Sequence, residues 1–118
     1  MIIPGRLPGL NEYVKSNRTN RYAGGKMKKD SESMICLYIP PWPTYEKPVE
    51  IKFFFYEPSA KRDIDNISAF AHKVILDSLV AKKVLRNDSQ RYVKAISDQF
   101  YVDKENPRIV VEIYEITT

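Results

Sequence analysis

Two aspartates, Asp63 and Asp65, stand two residues apart just before a helical pattern, and a third, Asp88, follows it. In extended or turn backbone, side chains at i and i+2 point the same way, so the first two carboxylates should lie together. Two carboxylates placed together repel each other unless a cation lies between them. Oxygen-rich sites suit Mg²⁺, or alternatively Mn²⁺. These residues therefore predict metal-assisted hydrolysis, in which the cation lowers the pKa of a bound water.

A structural interpretation of the same residues is also open. Asp65 or Asn66 is a favourable helix N-cap, and Asp88 is an ordinary turn residue after Asn87. A helix of about 15 residues spans roughly 22 Å, so it would hold Asp88 away from the other two aspartates. A returning strand or a partner subunit is then needed to complete the cluster.

The elements that position these residues follow from the hydrophobic pattern. Strands are predicted at 1–4, 49–57, 92–102 and 108–116, and helices at 25–39 and 66–80. Residues 5–25 are predicted as a loop with a helical turn near 10–15. The order β-α-β-α-β-β, with a hairpin of the last two strands, indicates one α+β domain over 1–118. It should have two layers, a mainly antiparallel sheet with two principal helices on one face.

The basic residues are concentrated in two blocks. Residues 1–30 carry seven Lys and Arg against two acids, and residues 61–94 carry eight against four, in a chain of net charge +4. Such blocks attract a phosphate backbone, although a solvated basic surface is an equally simple interpretation. No apolar run is long enough to span a bilayer, and Cys36 is the only cysteine. We therefore expect no membrane partner and a cytoplasmic location.

Three short motifs contain or flank the acidic residues: R-D-I-D-N at 62–66, K-V-I-L-D-S-L at 73–79 and N-D-S-Q at 87–90. Together they resemble the RusA family of Holliday junction resolvases. The opening L-P-G-L-N at 7–11 and N-R-Y at 20–22 resemble phage-type members. The resemblance covers most of the chain and is most specific over 61–90.

The resemblance implies a function and a set of site residues. Asp63, Asp65 and Asp88 would hold Mg²⁺ or Mn²⁺. Lys73 would be the catalytic basic residue of the family's helix if about one helical turn is inserted before it. The substrate would be branched DNA, specifically a four-way junction, and the enzyme a homodimer that makes paired cuts. The expected DNA-binding residues are Lys61, Arg62, Arg18, Arg21, Lys26, Lys28 and Lys29.

Several single residues have two interpretations. His72, the only histidine, is more simply a packed or surface helix residue than a metal ligand. Cys36 fits a small core residue. Tyr13 and Tyr22 lie among basic residues and suit either base stacking or loop anchoring.

Three other functions stay open. The first is a branched-DNA-binding module of the same fold without nuclease activity. The second is a different metal-dependent phosphoesterase acting on nucleotides or RNA. The third is an interaction protein in which the D-x-D pair merely caps a helix. Metal binding separates the third from the rest.

Overall fold

The computed structural model describes residues 1–116. Its elements, in chain order, are β1 (Ile2–Pro4), α1 (Leu10–Thr19), α2 (Arg21–Cys36), β2 (Val49–Glu57), α3 (Ile64–Ala81), β3 (Val93–Val102) and β4 (Arg108–Glu115). The four strands form one sheet in the order β1-β4-β2-β3. Two of the three strand pairings are antiparallel, and β2 and β3 run parallel. The predicted α+β class with a mainly antiparallel sheet is confirmed.

The central strand β2 explains why the helices lie on one face. Its odd-numbered residues, from Val49 to Glu57, are buried and its even-numbered residues are only half-buried. Since side chains alternate across a strand, one face of the sheet is covered and the other is more open. The covered face carries Phe53 and Phe55, which pack with Val74 and Leu79 of α3 in a single core cluster.

The predicted hairpin of the last two strands is wrong, because β3 and β4 are not neighbours. β2 lies between them, and β3 is an edge strand of the sheet. The connection through α3 returns the chain parallel to β2 on one side, and β4 then pairs antiparallel on the other. The crossing stretch is held by Arg108, whose guanidinium contacts the Asp103 carboxylate at 2.9 Å. That contact lowers the pKa of Asp103.

The segment predicted as a loop over 5–25 contains α1 and the first turn of α2. α1 has no buried residue, so it lacks the sustained apolar period that would have indicated a helix. Part of its support is local, since the Glu12 carboxylate accepts from the Gly9 N–H at 3.2 Å. The rest is long-range, because Tyr13 packs on Phe70 of α3 with ring centroids 4.7 Å apart. The fold thus has three helices over residues 1–116 where two principal helices were predicted.

None of the helices described by the structure has the length and apolarity needed to cross a membrane.

Candidate active site

Asp63 and Asp65 lie at the N-terminal end of α3. Asp63 is the N-cap residue and Asp65 lies in the first turn, because the helix begins at Ile64, two residues earlier than predicted. Asp63 keeps the extended backbone of an N-cap residue, whereas Asp65 has helical backbone, so only the first of the two aspartates has the predicted extended conformation. The Asp63 side chain makes no capping hydrogen bond, and both aspartates are exposed. The Asp63 carboxylate is consequently not used to cap the helix and is accessible to a ligand.

Arg62, directly before the aspartate pair, is anchored to the end of β2. Its Nε and Nη2 donate to the two carboxylate oxygens of Glu57 at 2.8 and 2.9 Å. The side chains of Arg62 and Glu57 are only 12% and 5% exposed. The predicted role of Arg62 in binding DNA stays a prediction, and its guanidinium already has a buried carboxylate partner.

Glu57 was not among the residues selected from the sequence. It is the last inward-facing residue of β2, so the alternation of that strand could have placed its carboxylate inside the protein. A buried carboxylate needs a cation or several hydrogen-bond donors, and the R-D-I-D-N motif five residues later supplies Arg62. Glu57 therefore fixes the loop that carries the aspartates.

Asp88 lies beyond the other end of α3, in an exposed turn. The neighbouring Asn87 accepts from the Ser89 N–H at 2.9 Å, which stabilises this turn. Within residues 1–116 no group of three or more His, Cys, Asp or Glu side chains is arranged to hold a metal ion. A single protomer therefore does not bring Asp88 to Asp63 and Asp65.

Lys73 lies on the exposed side of α3, ten residues after Asp63. Its ammonium is 3.5 Å from the Asp77 carboxylate, which also pairs with Lys28 at 3.1 Å. The hydrogen bond to Asp77 raises the pKa of Lys28. Ten helical residues extend about 15 Å, so Lys73 is separated from the aspartate pair of its own protomer. Its predicted catalytic role stays a prediction.

The remaining predicted DNA-binding residues lie on α1, α2 and the loop before α3. Lys26 is paired with Asp30 at 2.7 Å, and Lys28 with Asp77. Of the predicted DNA-binding residues, four have no acidic partner within 4.0 Å among residues 1–116: Arg18, Arg21, Lys29 and Lys61. Cations without an acidic neighbour are the better candidates for phosphate contacts, because no local carboxylate offsets their charge.

His72 and Tyr13 both make packing contacts within the protein. His72 Nε2 lies 2.7 Å from Asp98 Oδ1, and its ring packs on Phe53 with centroids 4.7 Å apart. Tyr13 packs on the buried Phe70. Tyr22 is 68% exposed, so its ring is the one available for stacking. Cys36 is half-buried and carries no disulfide.

The fold and this end of α3 define an α+β domain that presents an exposed aspartate pair beside basic residues. The sequence profile described as Endodeoxyribonuclease RusA matches residues 8–114 of the chain. The chain belongs to the RusA endodeoxyribonuclease family, which confirms the resemblance drawn from the motifs. No curated protein sequence matches it significantly. At the level of the family, the protein is a nuclease of DNA junctions.

Proposed function

We propose that the protein is a metal-dependent endonuclease that resolves four-way DNA junctions by paired phosphodiester hydrolysis. The observation that carries the proposal is the exposed aspartate pair at the start of α3, whose N-cap carboxylate makes no capping hydrogen bond. In a chain of an endodeoxyribonuclease family, two such carboxylates suit a divalent cation better than a helix-capping role.

The donor set fits Mg²⁺ or Mn²⁺. Asp63 and Asp65 supply hard carboxylate oxygens from one short stretch, and their exposure leaves room for water and a phosphate oxygen. When bound, the cation supplies Lewis acidity and a more acidic water. Lys61, exposed and two residues before Asp63, is placed to contact the phosphate. Asp65 lies in the first turn of α3 and is placed to orient a water.

We propose further that the third carboxylate is Asp88 of the partner subunit in a homodimer. α3 has 18 residues and is about 27 Å long; the aspartate pair lies at its start, and Asp88 follows its end by seven residues. A two-fold axis near the middle of α3 would bring the start of α3 in one subunit close to the end of α3 in the partner subunit. Each dimer would then have two composite sites, one for each strand to be cut.

The edge strand β3 offers a surface for such a dimer. Ile64 and Ile67, at the start of α3, line a pocket with Phe100, Tyr101 and Val102, at the end of β3. Asp88 precedes the other end of the same strand by five residues. Antiparallel pairing of β3 with its copy would therefore carry the partner's Asp88 to the aspartate pair. An unpaired edge with exposed Ile96, Tyr101 and Val102 favours pairing of this kind.

The test is cleavage of a labelled synthetic four-way junction, with linear duplex as control, in Mg²⁺, Mn²⁺ or EDTA. We expect paired nicks on the junction alone, lost in EDTA and in Asp65→Asn. Asp30→Asn is the matched control, because Asp30 is also exposed and its known partner is Lys26. Junction binding in all three conditions, without cleavage in any of them, would favour a non-catalytic branched-DNA-binding module. Absence of both binding and cleavage would reject the proposal.

A further inference from the structure

We infer that the segment 7–11 is a positioning element for the aspartate pair, holding both residues that flank it, Arg62 and Asn66. This inference rests on the proposed function, since it concerns the geometry of the metal-binding carboxylates. The segment is the L-P-G-L-N motif, and it lies far in sequence from the R-D-I-D-N motif. The structure joins the two motifs through two hydrogen bonds and through the close approach of the Gly9 backbone to the same two side chains.

The first contact is made by the backbone of Leu7. Its carbonyl oxygen accepts from Arg62 Nη1 at 3.2 Å, and the Leu7 side chain is 3% exposed. Because Glu57 engages Nε and Nη2, the carbonyl is a third acceptor for the same guanidinium. A planar guanidinium held by three acceptors has little freedom to rotate, so the backbone before Asp63 is held as well.

The second contact is made at the start of α1. The Asn11 N–H donates to Asn66 Oδ1 at 2.9 Å. N–H groups in the first turn of a helix have no partner within the helix, so the Asn66 side chain satisfies one of these donors from outside. The residue after Asp65 is thereby tied to α1, just as the residue before Asp63 is tied to Leu7.

The third contact explains why residue 9 is a glycine. A Cβ at Gly9 would lie 2.5 Å from Asn66 Oδ1 and 3.0 Å from Arg62 Nη1. Its φ of −79° is open to any residue, so the backbone conformation does not require glycine. The requirement comes from close approach, because the backbone of residue 9 packs directly against both flanking side chains.

Together these contacts fix the two ends of the five-residue segment 62–66, while its two carboxylates stay exposed. Arg62, Asn66 and the 7–11 backbone are positioning groups, since they act through the aspartates and do not themselves reach a reacting atom. Partners that orient metal ligands typically change metal affinity or activity by about 10- to 100-fold when they are mutated. The segment 7–11 should therefore set how tightly the site holds its cation.

The test compares Gly9→Ala with Gly25→Ala. Both replace a glycine by alanine, but a Cβ at Gly25 meets nothing within 4 Å. The readouts are Mn²⁺ affinity by calorimetry, the Mn²⁺ concentration for half-maximal junction cleavage, junction affinity in EDTA, and melting temperature. For Gly9→Ala we expect Mn²⁺ affinity about 10- to 100-fold weaker and an equally raised Mn²⁺ requirement, with junction affinity in EDTA unchanged. Gly25→Ala should match wild type in Mn²⁺ affinity, Mn²⁺ requirement and junction affinity, and should melt slightly higher because alanine stabilises the interior of α2.

A second variant, Asn66→Ala, tests the same inference if Gly9→Ala does not fold. It removes the acceptor of the Asn11 N–H without adding volume, so we expect weaker Mn²⁺ binding in the same direction. The double variant Gly9→Ala with Asn66→Ala should lose less Mn²⁺ affinity than the two single variants added together. The reason is that the atom that the new methyl group would meet, Asn66 Oδ1, is then absent. If the single variants bound Mn²⁺ weakly only because they were less stable, combining them would not restore Mn²⁺ affinity in this way.

The outcomes separate this inference from the proposed function. A wild-type protein that cleaves junctions in a metal-dependent way, with Gly9→Ala and Asn66→Ala binding Mn²⁺ like wild type, would overturn the inference alone. A wild-type protein that neither binds Mn²⁺ nor cleaves would reject the proposed function, whatever the variants do. Weaker Mn²⁺ binding in Gly9→Ala, with Gly25→Ala unchanged, would support both.

Discussion

Asp63 begins α3 and Asp88 lies in the turn beyond its end, so the helix itself separates the two carboxylates. The helix has 18 residues and is about 27 Å long. A side chain cannot cover that distance, and the chain after α3 does not return Asp88 to the start of the helix. The proposed cluster of all three aspartates would therefore have to take Asp88 from a second protomer, and mixed dimers test this proposal directly.

Mixed dimers of Asp65→Asn and Asp88→Asn protomers should regain one working site. If each site takes Asp63 and Asp65 from one subunit and Asp88 from the other, the mixed dimer has one doubly damaged site and one intact site. We expect each pure variant to be inactive and the mixed dimer to nick a single strand of the junction. Co-expression with two different affinity tags isolates the mixed species for the cleavage assay.

The matched control for this experiment is a mixed dimer of Asp63→Asn and Asp65→Asn. Both changes fall in the same half of the proposed site, so each site keeps one damaged carboxylate and no activity should return. Loss of activity in both mixtures would contradict sharing between subunits and would return the question to a site within one chain.

Lys29 and Lys26 provide a comparison of paired and unpaired cations on one helix. The ammonium of Lys26 lies 2.7 Å from Asp30, whose hydrogen bond raises the pKa of the lysine. For Lys29→Ala we expect weaker junction binding and a salt slope reduced by about one. Lys26→Ala should have a smaller effect, because Asp30 already offsets its charge. Junction affinity measured from about 50 to 200 mM salt checks this, and equal losses would contradict it.

Much of the fold could be predicted because its strands and main helix carry strong local patterns. The bounds of β2 are the predicted ones, since the segment from Val49 to Glu57 is rich in β-branched and aromatic residues and Pro58 ends it. α3 was placed within two residues, because its apolar positions recur at helical spacing from Ile67 to Leu79. These features depend on nearest neighbours along the chain, which a single sequence displays.

The errors arose where long-range contacts decide the structure. α1 carries no buried residue, so its pattern indicated a loop, and its contacts with α3, such as the hydrogen bond from the Asn11 N–H to Asn66, are not visible in the local sequence. The placement of β3 beside β2 depends on the crossover through α3, and a short turn before β4 suggested a hairpin instead. The Glu57–Arg62 pair was missed for the same reason, since its importance lies in burial and not in either residue alone.

Lys61 and Lys73 compete for the role of the basic residue in cleavage. Lys61 is exposed beside the aspartate pair, whereas Lys73 lies ten residues along α3 with its ammonium 3.5 Å from Asp77. We expect Lys61→Ala to lower the cleavage rate by about tenfold to a hundredfold, as loss of a charge near the developing negative charge does. Lys73→Ala should lower it less. Single-turnover rates at saturating enzyme and metal separate the two, and the reverse order would assign the role to Lys73.

Tyr22 and Tyr13 should separate DNA binding from stability. The Tyr22 ring is 68% exposed with the Arg21 guanidinium 4.8 Å from its centroid, so it can stack on an unpaired base. Tyr22→Ala should weaken junction binding by about 1 to 3 kcal/mol at unchanged melting temperature, and Tyr22→Phe should keep the affinity. Tyr13→Ala removes the ring packed on Phe70 and should lower the free energy of unfolding by roughly 2 kcal/mol. Junction titration and thermal melting of all three variants decide this, and a lower melting temperature in Tyr22→Ala would show that its ring is structural.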